Sequence, residues 1–204
     1  MQHLAYAFLI ALANNVDNLG ARIAYSLQGV RISIPINLWI AVLTLVISTA
    51  AALSGTFLAG SLGPKVASMI AMGMLVGLGL WVIWQEYSKH HMRAEHPAGT
   101  KPSLWAIYKN PVHADTDLSK HIDFKEATVL GIALSINNIG GGLSAGMVGI
   151  NPYLVGMLSA MLSFIALWAG NYVAEFFVRR RWDDKAAVVG GILLIAIGIK
   201  QGVG

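Results

Sequence analysis

A cluster of polar side chains interrupts the first long apolar stretch of this 204-residue chain. The segment "LANNVDNLGAR" covers residues 12–22, and the spacing of Asn14, Asp17 and Asn18 places them on one helix face. An ionised carboxylate in lipid costs at least about 2.5–3.5 kcal/mol, and such residues usually line a transport pathway. Carboxylate and amide oxygens are hard ligands that suit Mg²⁺, Ca²⁺ or Mn²⁺. The cluster therefore indicates that something hydrophilic is bound within a membrane.

A second polar segment in the other half of the chain follows the same pattern. The segment "ALSINNIGGGL", residues 133–143, aligns with "ANNVDNLGARI" of the first stretch and sets Asn137 opposite Asp17. Asn138 and Ser135 add polar oxygens to the same turn. If the two segments face each other, they form an oxygen-lined site near the middle of the membrane. The alternative is that the amides only join neighbouring helices, at about 0.6–2 kcal/mol for each hydrogen bond.

Arg22 adds a positive charge to the first of these helices, five positions after Asp17. Residues at this spacing do not share a face of a regular helix, so a direct ion pair requires a bent backbone or a long reach. Arg22 would otherwise extend to the membrane interface or bind an anionic group of a solute. The sequence leaves open whether Arg22 neutralises Asp17 or contributes to substrate binding.

The polar stretch "DTDLSKHIDFKE", residues 115–126, follows the order of the twelve-residue calcium loop of an EF-hand. The candidate metal ligands are Asp115, Asp117, Ser119, His121, Asp123 and Glu126. Lys120 stands where the loop normally has glycine, so we expect strained backbone there or an opened loop. The alternative is an acidic linker that caps the next helix, with Asp123 at its N-terminus and Glu126 in its first turn.

The composition is typical of a membrane protein. Hydrophobic residues make up 56% of the chain and charged residues only 12%, with a mean hydropathy of +0.63; soluble domains usually have about 25% charged residues. Six apolar runs are long enough for a membrane helix at about 1.5 Å rise per residue. They cover residues 4–27, 36–60, 65–87, 126–149, 152–178 and 186–203. We therefore predict an all-α polytopic membrane protein with six transmembrane helices.

The sequence also excludes several classes of chemistry. The chain has no cysteine, which excludes disulfides and thiolate metal sites. It has no P-loop motif and no evident pairing of a nucleophile with a base, so we expect neither an enzyme nor a pump that hydrolyses nucleotide. The expected ligand is a divalent cation, Mn²⁺ or Ca²⁺, with no organic cofactor. The expected partners are the lipid bilayer and a small cation, without nucleic acid, and the sequence does not indicate an oligomeric state.

Positive charge predicts the orientation of the helices. Eleven of the fourteen Lys and Arg residues lie in the odd-numbered connections, which should therefore be cytoplasmic. Both termini would then be outside, in a plasma (bacterial inner) membrane. The long cytoplasmic polar loop, residues 88–125, separates a first three-helix repeat (1–87) from a second (126–204). The two halves have opposite orientation, which predicts a 3+3 inverted repeat of the kind found in secondary transporters.

Two of these segments resemble a known family. Six helices in two halves, with "VDNLGARIAYSL" in helix one and "GIALSINNIGGGLSAG" in helix four, resemble the MntP-type manganese efflux pumps, which are LysE-like six-helix transporters. The loop "ADTDLSKHIDFKEATVLGIAL" is similar to that of the YtaF-type sporulation membrane proteins of that superfamily. The resemblance implies an aspartate in helix one, matched by Asp17, and another in helix four, where this chain has Asn137. It also implies an acid in helix two, and residues 36–60 contain none.

These observations together predict a secondary transporter that exports a small divalent (Mn²⁺-like) cation by alternating access, with proton coupling. Asp17 would be a cation ligand and the proton carrier, with Ser135 beside it. The neutral oxygen ligands would be Asn14, Asn18, Asn137 and Asn138. One alternative is an exporter of a small organic or amino-acid-like solute, bound by Arg22 and the amides. Another is a membrane protein that does not transport and whose cytoplasmic loop senses divalent ions.

Overall fold

The computed structural model describes residues 2–27, 30–89, 104–109, 114–116, 119–180, 188, 192 and 194–200. These residues are almost entirely helical and contain no β-strand, so the all-α class predicted from composition is confirmed. The helices are α1 (Gln2–Asn14), α2 (Val16–Leu27), α3 (Ile34–Leu62), α4 (Pro64–Lys89), α5 (Leu104–Lys109), α6 (Phe124–Leu134), α7 (Ile136–Met147) and α8 (Pro152–Arg180). Residues 194–200 are helical as well. Most of the polar loop 88–125 lies outside the described residues.

Two apolar runs that the sequence presents as single helices are each broken at a polar residue. The first breaks at Asn15, between α1 and α2, and the second at Ser135, between α6 and α7, where the two helices are bent by 46°. The Asn15 side-chain amide donates to the carbonyl of Ala11 at 2.7 Å, so it competes with regular helical bonding. The Ser135 backbone has φ −89° and ψ −1°, in the sparsely allowed bridge region.

The two broken pairs are held by the long helices α3 and α8. α3 packs against α6, α7 and α8, whereas α8 also packs against α1 and α2. Buried apolar side chains form the core on both sides of the breaks, with Ile40 and Leu130 in one cluster and Ile10 and Leu75 in another. The breaks therefore lie inside the bundle, where rigid neighbours position them.

Glycines let α3 and α7 approach at backbone contact. A Cβ on Gly146 would overlap the carbonyl of Ala52, and one on Gly142 would lie 3.0 Å from the carbonyl oxygen of Ser48. The GxxxG spacing of these glycines thus permits close helix packing. A second pair with this spacing, in residues 73–77 of α4, has nothing within 4 Å among the described atoms. That motif makes no comparable contact with the part of the chain that the structure describes.

The α2–α3 connection is bonded to the segment that precedes α6. Arg31 and His121 form an isolated parallel bridge, in which the Arg31 amide donates to the Lys120 carbonyl at 2.8 Å. The Ile122 amide donates back to the Arg31 carbonyl at 3.2 Å, and the Ile122 side chain is buried. Lys120 has φ 61°, so the strained backbone expected at this glycine position is confirmed.

Three helices in the described residues are long and apolar enough to cross a membrane. They are α3, the Pro64–Trp84 part of α4 and the Pro152–Ala169 part of α8, and the bent pair α6–α7 is a fourth if it counts as one span. Large apolar side chains on these helices point outward, such as Phe57 and Met157, which are 78% and 66% exposed. Several asparagine and serine side chains, such as Asn18 and Ser163, are fully buried instead. These features support a membrane protein, while six spans and the 3+3 repeat remain predictions.

Candidate functional site

The two helix breaks meet at a pair of polar side chains. Asn137 Nδ2 of α7 donates to Asp17 Oδ2 of α2 at 3.0 Å, so the structure brings together the residues that the alignment sets opposite each other. The other carboxylate oxygen of Asp17 accepts from the Asn18 backbone amide at 3.0 Å. Asn138 is fully buried, and its Oδ1 lies 3.4 Å from Asn15 Nδ2 at the first break. Asp17 itself is partly exposed.

A layer of buried hydroxyl and amide groups continues from Asn18 into the bundle. Asn18 Nδ2 donates to Asn15 Oδ1 and to Ser163 Oγ, both at 2.9 Å. Thr44 Oγ1 of α3 then lies 3.4 Å from Ser163 Oγ and 3.3 Å from Ser135 Oγ at the second break. This chain of polar contacts links both breaks with α3 and α8.

Several buried polar atoms of this layer have no hydrogen-bond partner among the described residues. They are Asn14 Oδ1, Asn18 Oδ1, Ser48 Oγ and Asn138 Nδ2. Burying such an atom without a partner costs about 1–3 kcal/mol, so proteins rarely keep several together without a use. Three of these atoms are neutral oxygens, which is the donor set a hard cation requires.

A glycine of the facing helix leaves the space that the Asn14 side chain occupies. The Asn14 side chain is 2% exposed and packs directly on Gly141 of α7, where any Cβ would overlap the amide. Only glycine therefore leaves room for Asn14 at this point, which explains one of the three successive glycines of α7.

The short helix α5 covers the Asp17–Asn137 pair. Tyr108 donates its hydroxyl hydrogen to Asn137 Oδ1 at 2.8 Å and accepts from Trp81 Nε1 of α4 at 3.2 Å. Trp105 stacks on Tyr108 with ring centroids 5.3 Å apart. Burial raises the pKa of the Tyr108 phenol, so the hydroxyl stays protonated and remains a donor. This part of the loop thus packs against the site, although the sequence predicts only a polar connection.

Arg22 lies at the end of this site towards the α2–α3 connection. It is 2% exposed, and its Nη1 lies 3.4 Å from the carbonyl of Val30, to which it donates. Arg22 also lines a cavity of about 480 Å³ together with Arg31 and His121. The Arg22 guanidinium therefore contributes to a second polar region, beyond the Asp17–Asn137 contact.

In the acidic segment, the carboxylates accept hydrogen bonds from nearby backbone and side chains. Asp115 accepts from the amides of Ser119 and Lys120, both at 3.1 Å. Glu126 accepts from the Asp123 amide while Asp123 accepts from the Glu126 amide, which completes a capping box at the start of α6.

This arrangement agrees with the helix-capping alternative for the segment. Glu126 also accepts from the amide and hydroxyl of Thr116, and Ser119 donates to the His121 carbonyl. Asp117 lies outside the described residues. No group of three or more Asp, Glu or His side chains in the described part of the chain is arranged to hold a metal. Metal binding by this segment stays a prediction.

The structure adds site residues that the sequence pattern did not single out. Asn15 is three residues before Asn18, a spacing that shares a helix face, and this signal could have identified it. Thr44 and Ser48 are four residues apart in α3, and this spacing is a signal that could have identified them. Ser163 and Tyr108 carry no such local signal, since their positions depend on tertiary packing.

Apolar helices long enough to cross a membrane, with a polar site at two helix breaks, are the arrangement of secondary transporters. The chain belongs to the family described as "Mntp: Putative manganese efflux pump", whose model matches residues 31–201. The matched region begins after α2 and so does not include Asp17.

Similar proteins are found over nearly the whole chain. The "Probable sporulation protein YtaF" of Bacillus subtilis (strain 168) is 30% identical over 200 residues, covering 94% of this chain and 95% of that protein. Two proteins named "Putative manganese efflux pump MntP" follow. That of Pelotomaculum thermopropionicum is 25% identical, covering 94% of both chains, and that of Xylella fastidiosa (strain M12) is 28% identical, covering 93% and 90%. No solved structure matches the chain.

Proposed function

We propose that this chain is a secondary transporter that exports a small divalent cation of the Mn²⁺ class by alternating access. Membership of a family described as a manganese efflux pump supports export of a metal ion. A carboxylate surrounded by neutral oxygens suits a hard dication. The chain would lie in the plasma (bacterial inner) membrane, with both termini outside and the long loop cytoplasmic.

The lengths of the helices support the proposed inverted repeat. α1, α2 and α3 contain 13, 12 and 29 residues, and α6, α7 and α8 contain 11, 12 and 29. Each series has its break after the first helix, at residues that the alignment of the two segments makes equivalent. In many secondary transporters, broken helices at corresponding positions of two repeats form the substrate site near the membrane midplane.

The single observation that carries the proposal is the hydrogen bond between Asn137 Nδ2 and Asp17 Oδ2. The amide N–H occupies the carboxylate oxygen that a cation would bind. An entering ion would replace this bond, and rotation of the amide would turn Asn137 Oδ1 towards the ion. The buried carbonyl oxygens of Asn14 and Asn18 would complete the neutral ligands, with Asn138 and Ser135 beside them.

Asp17 also suggests how export is driven. It is an acid at the meeting point of the two breaks, so its protonation state would depend on whether the cation is bound. When the cation leaves on the outside, a proton would bind to the Asp17 carboxylate. The protonated transporter would then return to its inward-facing state and carry the proton inward, so that cation export is coupled to the proton gradient.

The test compares two aspartate-to-asparagine variants reconstituted in proteoliposomes. The Asp17→Asn variant should insert into the membrane and have the unfolding temperature of the wild type. Its Mn²⁺ transport should not exceed that of empty vesicles, because a neutral amide cannot hold the dication or carry the proton. Asp123→Asn is the matched control, since asparagine also caps helices well, and it should transport like the wild type. Normal Mn²⁺ transport by Asp17→Asn would refute the assignment.

The same experiments, with the variant Glu126→Gln added, distinguish the two alternative functions. A loop that senses ions would give Mn²⁺ or Ca²⁺ binding that survives Asp17→Asn and is lost in Glu126→Gln. An exporter of organic solutes would be stabilised against heat by its solute and not by Mn²⁺.

A further inference from the structure

A basic cavity lies where α2 ends and α3 begins, beyond the proposed cation site. Its volume is about 480 Å³, which is within the range of small-molecule sites. Two guanidinium groups, those of Arg22 and Arg31, line it together with the imidazole of His121, Ser33 and two isoleucines, Ile32 and Ile122. Among the described residues that line it there is no acid. The chemistry of this lining selects an anion.

The basic groups of the cavity are fixed by the fold. Arg22 is buried and directed to the α2–α3 connection through its contact with the Val30 carbonyl. Arg31 and His121 are exposed, and their parallel backbone bridge sets the distance between them. A buried cation with two exposed basic groups at fixed spacing is preorganised for a phosphate, whose oxygens accept hydrogen bonds from several guanidinium N–H groups.

The described acids that follow or adjoin this lining in the chain are engaged in hydrogen bonds. Asp123 directly follows Ile122, and its carboxylate accepts from the Glu126 amide at 2.8 Å. Asp115 and Glu126 belong to the adjoining loop, but their carboxylates accept hydrogen bonds from the backbone amides of Ser119 and Thr116. These carboxylates are therefore bonded within the loop, and the described lining residues of the cavity carry positive but no negative charge.

The position of the cavity indicates where the phosphate comes from. Ser33 directly precedes Ile34, the first residue of a candidate membrane span, so the cavity lies at the expected depth of lipid headgroups. Ile34 and Leu38 lie one turn apart and are 66% and 56% exposed, which offers an apolar track for acyl chains. We propose that this cavity binds the phosphate of an anionic membrane phospholipid.

The test measures thermal unfolding of the full chain in nanodiscs of phosphatidylcholine, with and without phosphatidylglycerol. Phosphatidylglycerol should raise the unfolding temperature of the wild type. Arg31→Gln should weaken this effect so that about fivefold more of the anionic lipid is needed, which corresponds to the loss of one basic contact near a membrane surface. Arg31→Lys keeps the charge and should recover part of the response.

The matched control removes an exposed charge at the opposite end of α3. Lys65 is the second residue of α4, just past the far end of α3, whose 29 residues extend over about 43 Å. Lys65→Gln should leave the phosphatidylglycerol response unchanged. Arg31 is exposed, so the Arg31→Gln variant should fold and can test the proposal even if a substitution of the buried Arg22, such as Arg22→Gln, prevents folding. A second arm adds inorganic phosphate to phosphatidylcholine nanodiscs, and a response to phosphate equal to that to phosphatidylglycerol would overturn the lipid assignment. So would a lipid response that is absent, or one that Arg31→Gln leaves intact.

Discussion

Replacing Gly141 by alanine tests whether Asn14 contributes to cation binding. A Cβ at position 141 would lie 2.7 Å from Cγ and 2.8 Å from Oδ1 of Asn14, and it would overlap Nδ2. Ordinary contacts of a Cβ begin at 3.4 Å. The contacts to Cγ and Oδ1 alone require a shift of roughly 0.7 Å, and the overlap with Nδ2 requires more, so the amide must leave its place because the surrounding close-packed atoms cannot absorb the overlap.

The displaced Asn14 oxygen would no longer reach the cation. A contact between a neutral polar group and a charge contributes about 1.5–3 kcal/mol, which corresponds to about 10- to 150-fold in Kd. We expect Gly141→Ala to weaken Mn²⁺ binding by at least about tenfold, measured by titration calorimetry on the purified protein. The initial rate of Mn²⁺ transport at low concentration should fall in parallel.

Two further variants make this result specific. Gly73→Ala is the same change in a helix where an added Cβ meets nothing within 4 Å, so it should bind Mn²⁺ normally. The double variant Asn14→Ala with Gly141→Ala removes the overlap, so its unfolding temperature should recover while its Mn²⁺ affinity stays low. If Gly141→Ala unfolds, binds and transports like the wild type, Asn14 is not a ligand and the reasoning is refuted.

Two other substitutions test the loop and the cover of the site. Lys120→Gly relieves a left-handed backbone and should stabilise the chain by up to about 1 kcal/mol, seen as a higher unfolding temperature; an unchanged or lower temperature would contradict the strain. Tyr108→Phe removes the 2.8 Å bond to Asn137 and the acceptor for Trp81. That bond holds Asn137 Oδ1 away from the carboxylate, and it must break when the amide turns towards the ion. Its loss should therefore strengthen Mn²⁺ binding about fivefold, the equivalent of one hydrogen bond of about 1 kcal/mol. The exposed Tyr153→Phe should have no effect, and equal affinities for the two variants would exclude this role for Tyr108.

Much of the helical architecture could be predicted from the sequence. The apolar runs are so long that they correspond to helices of similar bounds, as for run 36–60 and α3 or run 152–178 and α8. The breaks at Asn15 and Ser135 were not predicted, because helix propensity and periodicity average over a window in which one polar residue carries little weight. The helix α5 was missed as well, since six residues within a polar stretch give no detectable period.

The candidate site was predictable only where the chemistry is local. Asp17 and Asn137 could be matched from the repeated polar segments, and the structure joins them at 3.0 Å. The acidic segment allowed two interpretations from the sequence, metal loop or helix cap, because the same oxygens serve both purposes. The observed capping box shows how Asp123 and Glu126 are used around α6.

The amino-acid sequence by itself determined that this chain is helical and apolar, and it identified which polar residues are exceptional within that apolar background. These properties follow from residue type and spacing, which act over a few turns of chain. Only the tertiary structure decided which distant groups meet, such as Asn18 with Ser163, Tyr108 with Asn137 and Arg31 with His121. Such contacts depend on how bent helices and a long connection pack together, and a hydrogen bond forms or fails over a fraction of an ångström.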